Sequence, residues 1–382
     1  MGFLKKFYII PVILSLILLG CAQSLIKYGI PIDRAEFKMF GKTPEREFSV
    51  PYTFGDSLKL TWENEINGSF SNSSVTCYDS LIFINDLSGR IFAFHMKNGK
   101  EIGELKYKGA VYSSPVINNR NVIFAVCSND EAKSHLIFYD FNNGKLVSDI
   151  ELNGRVLTEI LAAENGIIFN TDIGIVYKFD YHAKKVWEYK SKEYSHCSPA
   201  MNKHILVFGN DDGEIIALNA TNGKLIYKKK IKTPFLSGVS ISENTFFIGN
   251  NSGDIYGINL SDGKIIWTYS TGSGIVMTPA YNDNSVVVGN LGGYLYLLNK
   301  ANGKLIWKTS TDGVLNATPL LSKNIIFTPD FNEKLHLINI KNGSIIKTLN
   351  FDGRTKLTPV YYFNLLFVGF DNGVLRAYEV ID

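Results

Sequence analysis

The sequence predicts an all-β ring: an eight-bladed β-propeller closed by pairing its N-terminal strand with its last blade. Three observations support this fold. A turn motif recurs about every 40 residues, each unit contains several short apolar runs, and the strand missing from the last unit is found near the N-terminus. Units of this length with four short strands are typical of propeller blades. No stretch of residues 58–382 has sustained helical periodicity.

The recurring turn motif is a small polar turn followed by an aromatic residue four positions after its glycine. A clear copy is Asn302-Gly303-Lys304 with Trp307. Equivalent turns are centred on residues 99, 144, 183, 223, 263, 303 and 343, at spacings of 45, 39, 40, 40, 40 and 40. The aromatic positions are Trp62, Trp187, Tyr227, Trp267 and Trp307. This regularity predicts equivalent outer strands in successive units.

A second landmark marks the start of an apolar strand in most units. It is Ser or Thr followed by Pro, at Ser114-Pro115, Ser198-Pro199, Thr278-Pro279, Thr318-Pro319 and Thr358-Pro359. The same position without proline is occupied by Val75, Glu159 and a residue near Val239. A later hairpin is marked by Gly209-Asn210, Gly249-Asn250 and Gly289-Asn290, residue types that suit tight turns. Each unit is therefore a set of short strands joined by turns.

The number of units follows from the two ends of the chain. One further step from the turn at 343 passes Asp382, so the eighth unit lacks its last strand. One step back from 99 reaches Leu58–Trp62, which is similar to the outer strand Gly303–Trp307. A closed ring leaves no long unpaired edge strand, which favours pairing of the two ends. Residues 58–382 are therefore predicted to form eight blades.

The first 20 residues have the composition of an export signal. A basic start precedes the apolar run Phe7–Leu19, which is too short to span a membrane but has the length of a signal-peptide core. The run ends in Leu18-Leu19-Gly20-Cys21, which resembles the lipobox of bacterial lipoproteins. The resemblance implies that residues 1–20 are removed as a signal peptide and that Cys21 is lipidated and anchors the protein to a membrane.

The lipobox resemblance also indicates where the mature protein resides. In the enterobacterial sorting rule, aspartate after the cysteine retains a lipoprotein in the inner membrane, whereas here Ala22 follows Cys21. We therefore expect the periplasmic side of the outer membrane of a Gram-negative bacterium, with the inner membrane as the alternative. Residues 21–57 lack the repeat period and contain Pro, Lys and Glu, so we expect a lipid-anchored tether, mostly loop.

Composition argues against several classes of function. Residues 21–382 carry 37 Lys and Arg against 36 Asp and Glu, whereas nucleic-acid binding depends on clustered excess positive charge. Cys77, Cys127 and Cys197 lie far apart without a CxxC spacing, so we expect no zinc site and unpaired, buried thiols. The six histidines form no HExxH motif. We therefore expect no catalytic residue, no metal site and no nucleic-acid partner.

The repeats resemble the tryptophan-docking repeat of the pyrroloquinoline-quinone (PQQ) propeller superfamily. The phrase Ala217–Lys224 and its copies carry the resemblance over nearly all of 58–382. It implies that the motif aromatics pack between neighbouring blades as structural docking residues. Units one, two and seven depart from the pattern, with Ile102 or Gly103, Ser148 and Lys347 at this position. We expect looser packing at those blades.

The same resemblance raises the question of a quinone cofactor. In quinoprotein enzymes of the superfamily, PQQ lies on a tryptophan floor, often beneath a disulfide of adjacent cysteines, with a calcium ion and a catalytic aspartate. The four tryptophans of this chain all occupy the repeat motif, and no two cysteines are adjacent. We therefore expect no cofactor and no enzymatic activity.

The lipobox, the ring and the missing cofactor features together resemble the BamB-type lipoproteins of the outer-membrane β-barrel assembly machinery. This implies a non-enzymatic scaffold that binds a protein of that machinery through the loops leading into blades four and five, here Lys192–His196 and Thr233–Ser237. Candidate partner-binding residues are Tyr194, His196, Phe235 and Leu236. Local packing is the alternative interpretation for them. The alternative function is a PQQ- and calcium-dependent quinoprotein, or a propeller that senses a small ligand in its central funnel.

Overall fold

The structure, a computed structural model, describes residues 25–29, 37–231 and 233–381. The predicted signal peptide and Cys21 lie outside these residues. The described chain folds into β-strands joined by turns and loops, and it contains no helix that is long and apolar enough to cross a membrane.

Eight four-stranded antiparallel sheets form the ring, as predicted. In blades 1–7 the strands follow one another from the first, innermost strand to the fourth, outermost strand, and the first strands of neighbouring blades contact one another. This order places the turns between first and second strands and between third and fourth strands on one face. The second–third turns and the loops between blades lie on the other face.

The strands of the first four blades are short and follow the repeat. Blade 1 contains β2 (Thr76–Tyr78), β3 (Leu81–Asn85), β4 (Arg90–His95) and β5 (Glu101–Lys106). Blade 2 contains β6 (Val116–Asn118), β7 (Asn121–Cys127), β8 (Lys133–Asp140) and β9 (Lys145–Asn153). Blade 3 contains β10 (Leu161–Ala163), β11 (Gly166–Asn170), β12 (Ile175–Phe179) and β13 (Lys185–Lys190). Blade 4 contains β14 (Ala200–Asn202), β15 (Ile205–Gly209), β16 (Glu214–Asn219) and β17 (Leu225–Lys230).

The remaining blades repeat the pattern until the chain ends. Blade 5 contains β18 (Ser240–Ser242), β19 (Thr245–Gly249), β20 (Asp254–Asn259) and β21 (Ile265–Ser270). Blade 6 contains β22 (Ala280–Tyr281), β23 (Ser285–Gly289), β24 (Tyr294–Asn299) and β25 (Leu305–Ser310). Blade 7 contains β26 (Leu320–Leu321), β27 (Ile325–Asp330), β28 (Lys334–Asn339) and β29 (Ile345–Asn350). Blade 8 contains β30 (Val360–Tyr362), β31 (Leu365–Gly369), β32 (Val374–Ile381) and, from the N-terminal part of the chain, β1 (Ser57–Glu65).

The N-terminal strand closes the ring, which confirms the prediction from the chain ends. β1 pairs antiparallel with β32 from Ser57 opposite Ile381 to Glu65 opposite Val374. Trp62 lies opposite Ala377, the position that a motif aromatic holds in blades 3 to 6. The last blade therefore becomes complete only when the two ends of the propeller sequence meet.

Each motif aromatic joins its own blade to the next one through a hydrogen bond to a backbone carbonyl. The indole N–H of Trp307 in blade 6, for example, donates to the carbonyl of Ile340 in blade 7 at 2.9 Å. The equivalent bonds join Trp62 to Met96, Trp187 to Ala220, Tyr227 to Leu260 and Trp267 to Lys300. The four tryptophans are at most 9% exposed. A hydrogen bond of this kind satisfies the only polar group of a buried tryptophan ring.

The turn glycine of each motif packs against the motif aromatic of the preceding blade. All seven turn centres adopt the left-handed conformation, with φ between 64° and 73°. At Gly303 a Cβ atom would lie only 2.5 Å from the ring of Trp267. The same close approach joins Gly99 to Trp62, Gly223 to Trp187, Gly263 to Tyr227 and Gly343 to Trp307. Glycine is therefore required here both by the backbone conformation and by the ring that lies on it.

The one turn centre that is not glycine faces a blade without a motif aromatic. Ala183 of blade 3 has a φ of 64°, and the preceding blade carries Ser148 at the docking position. Because the side chain of Ser148 is small, no ring lies in the position that a Cβ atom would enter. The absence of an aromatic residue at position 148 thus accompanies the absence of glycine at position 183.

Residues 25–29 occupy the corresponding place between blades 1 and 2. Blade 1 has Gly103 at the docking position, and the side chain of Lys27 instead lies against the turn glycine Gly144. Ile26 is fully buried, and its carbonyl accepts a hydrogen bond from the hydroxyl of Tyr139 at 3.0 Å. The N-terminal segment therefore supplies the packing that the first outer strand lacks.

Glycine substitutions test the contact between ring and turn. We expect Gly303→Ala to lower the free energy of unfolding by about 1–3 kcal/mol more than Gly272→Ala, measured by urea denaturation. Gly272 is the matched control because it also has a positive φ, of 81°, but no atom lies within 4 Å of its added Cβ. Backbone strain is thus common to both variants, and only Gly303→Ala displaces Trp267. Equal losses in the two variants would contradict a packed ring at this turn.

Candidate partner-binding loops and the central funnel

The centre of the ring is a funnel of about 570 Å³ that opens on the face of the second–third turns. Two rings of residues line its wall, each with one residue from six of the eight blades. The outer ring includes Asn72, Leu157, His196, Leu236, Val276 and Asn316. The inner ring, two residues further along each blade, includes Glu159, Ser198, Gly238, Thr278, Thr318 and Thr358. The inner ring corresponds to the Ser/Thr-Pro landmark of the sequence.

Residues 37–54, here called the plug segment, close the opposite end of this funnel. The segment runs along the first strands of the blades, whose inward edges have no strand partner. Its carbonyl groups accept hydrogen bonds from the same position in five first strands, namely Phe37 from Cys77, Lys38 from Ile117, Pro44 from Met201, Glu45 from Ile241 and Phe48 from Leu321. The plug segment is therefore bound to the ring by backbone hydrogen bonds. The sequence predicts only a tether for residues 21–57, because they lack the repeat period.

The plug segment buries a charged side chain at the base of the funnel. Arg46 is inaccessible to solvent and donates hydrogen bonds to the carbonyls of Phe40, Glu159 and Pro199 at 2.8–3.1 Å. Burial lowers the pKa of Arg46 to about 10, so it remains charged at neutral pH. Three carbonyl partners satisfy a guanidinium that would otherwise carry a large desolvation penalty.

Glu159 is the only carboxylate in the inner ring of the funnel. Its Oε2 accepts a hydrogen bond from the backbone N–H of Ser114 at 2.8 Å, whereas Ser114 and Ser198 accept the equivalent bonds from Ser74 and Glu159 through a hydroxyl. Burial raises the pKa of Glu159 to about 7, although the nearby Arg46 opposes this shift. The base of the funnel therefore holds a buried, titratable carboxyl group near the Arg46 guanidinium.

The funnel does not have the residues that PQQ and its calcium ion imply. All four tryptophans lie on outer strands between blades, and none of them lines the funnel, whose lining includes Phe40. Among the described residues, no group of three His, Cys, Asp or Glu side chains is placed to hold a metal ion. Cys77, Cys127 and Cys197 are unpaired and buried, as predicted, and lie in different blades. The donor set therefore does not fit a quinone site.

The loop leading into blade 4 is held rigidly and presents an aromatic side chain. His196 Nδ1 lies 2.7 Å from Asp211 Oδ2, and the backbone N–H of His196 donates to Oδ1 of the same carboxylate. The backbone N–H of Asp211 donates to the carbonyl of Tyr194 at 3.0 Å. The side chain of Tyr194 is 61% exposed. Tyr194 therefore projects from a fixed backbone beside the mouth of the funnel.

The loop leading into blade 5 corrects one expectation. Phe235 is fully buried, and a Cβ atom on Gly209 would lie 2.4 Å from the Cβ of Phe235. Its ring also packs edge-on against Tyr256 at 6.2 Å. Phe235 therefore cannot act as a surface anchor, and its prediction as a partner-binding residue is wrong. Leu236 is half-buried and lines the funnel wall with His196.

The repeat itself contained the signal that Phe235 is a packing residue. Positions one and two steps of 40 further on are Ile275 and Leu315, both apolar and fully buried against the hairpin glycines Gly249 and Gly289. Comparing the register of the interblade loops would have shown this equivalence. By the same comparison, His196 and Leu236 are equivalent residues of neighbouring blades, because they lie 40 positions apart. In the structure both line the funnel.

The pH dependence of stability tests the burial of Glu159. Because its pKa is about 7 in the folded protein against an ordinary value of 4.5, Glu159 is stabilising when protonated, and this contribution is lost as the pH rises through 7. We expect Glu159→Gln to gain stability over the wild type by about 3 kcal/mol more at pH 8 than at pH 4.5. Urea unfolding across this range measures the difference. Exposed Glu193→Gln is the control, and a difference for Glu159→Gln that is independent of pH would contradict the burial.

Comparison with solved structures shows the same fold in proteins of different function. BamB from Moraxella catarrhalis is 16% identical, with a TM-score of 0.73 over 85% of this chain and 100% of that one. The computationally designed protein Ika8 is 12% identical, with a TM-score of 0.73 over 85% and 100% of the two chains. Quinohemoprotein alcohol dehydrogenase from Comamonas testosteroni is 10% identical, with a TM-score of 0.74 over 90% of this chain and 80% of that one. At such identities the similarity establishes the fold alone.

Sequence comparison identifies the family. No curated protein sequence shows significant similarity to this chain. The family profile described as outer membrane protein assembly factor BamB matches residues 56–237 and 211–358, which together span most of the propeller. With its eight blades and its ring of docked aromatics, the chain belongs to the BamB family of PQQ-like β-propellers.

Proposed function

We propose that this protein is a non-enzymatic scaffold of the periplasm that binds a protein partner and assists the assembly of β-barrel proteins in the outer membrane. The family is described as a factor of outer membrane protein assembly, and we transfer that role to this chain. The anchor in this proposal is a lipid on Cys21, which places the ring at the inner leaflet of the outer membrane.

The observation that carries the proposal is the loop leading into blade 4. Tyr194 is a large, exposed side chain on a backbone that Asp211 and His196 already hold in place. A rigid aromatic loses little conformational entropy on binding, and such residues often dominate protein interfaces. The half-buried Leu236 lies on the adjacent funnel wall and extends the same surface. Together they form a site that suits a protein ligand.

Substitution of Tyr194 tests this surface. We expect Tyr194→Ala to weaken the capture of a barrel-assembly protein from detergent-solubilised envelope by at least about tenfold, because a hot-spot aromatic contributes about 1–2 kcal/mol or more. Quantitative affinity purification with the tagged full chain provides the measurement. Thermal unfolding should be unchanged, since the side chain is exposed.

The matched control is Phe363→Ala. Phe363 is 62% exposed, close to the 61% of Tyr194, but it lies in a first–second turn on the opposite face. We expect its removal to leave capture unchanged. Equal effects of the two substitutions would contradict a partner site at the blade 4 loop, and recovery of no barrel-assembly protein with the unsubstituted chain would contradict the proposed function.

The quinoprotein alternative makes a different prediction. Because tryptophans, adjacent cysteines and a metal-binding cluster are missing from the funnel wall as described, we expect PQQ with calcium to leave the melting temperature of the full chain unchanged. Thermal shift and absorbance titration provide the measurement. A stabilised protein that reduces an electron-accepting dye would overturn the scaffold proposal.

A further inference from the structure

The described structure limits how far the ring can lie from a lipid on Cys21. Leu25 is the first described residue, and the next residue, Ile26, is already fully buried against blade 2. The backbone N–H of Tyr28 donates to the carbonyl of Phe141, in the third–fourth turn of that blade. Four residues of extended chain span at most about 14 Å. The lipid would therefore hold the third–fourth turn of blade 2 close to the bilayer.

The two faces of the ring differ in charge. The seven turns between third and fourth strands contain two acidic residues, Asp180 and Asp262, and eight lysines: Lys97, Lys100, Lys184, Lys224, Lys264, Lys300, Lys304 and Lys341. The eight turns between second and third strands contain no basic residue and eight acidic ones: Asp86, Asp130, Glu131, Asp172, Asp211, Asp212, Glu333 and Asp371. The first–second turns beside the lysine-rich turns are nearly balanced, with Arg120, Lys203 and Lys323 against Asp79, Glu164, Glu243 and Asp283. We call this whole surface the lysine face.

Exposed apolar side chains lie beside these lysines. In four consecutive blades the turn is followed at once by two aliphatic residues that are 40–49% exposed: Leu225 and Ile226, Ile265 and Ile266, Leu305 and Ile306, and Ile345 and Ile346. On the same face, Phe363 and Tyr52 are 62% and 51% exposed. Phe363 adopts a φ of 52°, which is unfavourable for a bulky residue, at the tip of its turn.

We propose that the lysine face docks on the phospholipid surface to which Cys21 is anchored, leaving the opposite face, with Tyr194 and the funnel, directed into the periplasm. The inference rests on the lipidation of Cys21 that is part of the proposed function. Lysines are attracted to anionic headgroups at about 1 kcal/mol each near the surface, and exposed tyrosine and aliphatic side chains suit the interfacial region. On the opposite face six of the eight turn carboxylates lie in ion pairs with Lys or Arg, so that face has no comparable excess of positive charge to attract it to the same membrane.

Lysine labelling of the full lipidated chain on vesicles tests this orientation. Vesicles of phosphatidylethanolamine and phosphatidylglycerol are compared with detergent micelles, using an amine-acetylating reagent and mass spectrometry of each peptide. We expect labelling of Lys224, Lys304 and Lys341 to slow by about threefold or more on the vesicles. Labelling of Lys108 and Lys192, which are exposed on the opposite face, should not change.

Charge reversal adds a variant with a matched control. Lys224→Glu combined with Lys304→Glu should abolish the protection of Lys341, whereas Lys108→Glu combined with Lys192→Glu should leave it intact. The N-terminal peptide of the same digest shows whether Cys21 carries a lipid. Lipidated chains with equal labelling of the two faces would overturn the docking inference and leave the anchor and the scaffold in place. An unmodified Cys21 would overturn both the anchor and the inference.

Discussion

The structure depends on the contact between an aromatic ring on one blade and a left-handed glycine turn on the next. At five junctions between blades the aromatic side chain packs on a turn glycine and donates a hydrogen bond to a backbone carbonyl of the same turn. One side chain therefore provides apolar packing and also pairs its own polar group. Each blade would expose a large apolar surface if isolated, and these contacts make neighbouring blades interdependent. Trp62 extends the series across the junction of the two chain ends, so that closure uses the same interaction as the repeats.

The N-terminal part of the chain completes what the repeats leave open. Residues 25–29 fill the junction where Gly103 provides no ring, the plug segment caps the free edges of the first strands, and β1 completes the last blade. At the base of the funnel Arg46 donates a hydrogen bond to the backbone carbonyl of Glu159, whose carboxyl group is buried nearby. These additions leave one end of the funnel open, toward the loops that present Tyr194. The fold thus concentrates recognition on one face.

The fold could be predicted from the sequence because the residues that join neighbouring blades recur at a nearly constant spacing along the chain. Gly303 and Trp267 lie 36 positions apart, the same separation recurs at three further junctions, and Gly99 lies 37 positions after Trp62. Burial of Phe235 was missed because an exposed loop and a packed loop have similar composition, and the distinction lies in its contact with Gly209 of the preceding blade, which Ile275 and Leu315 repeat against Gly249 and Gly289. The docking of the plug segment was also missed. Its partners are backbone N–H groups in the first strands of five different blades, and every residue type except proline offers such a group, so the side chains do not reveal the contact.

Closure of the ring by β1 can be measured directly by native-state hydrogen exchange of residues 57–65. If β1 is the outer strand of blade 8, the amides that it directs toward β32 should exchange as slowly as those joining β31 to β32, with a similar free energy of opening. Rapid exchange of all β1 amides, at the rate of an unstructured chain end, would show that the ring is open and would contradict the structural basis of every site described above.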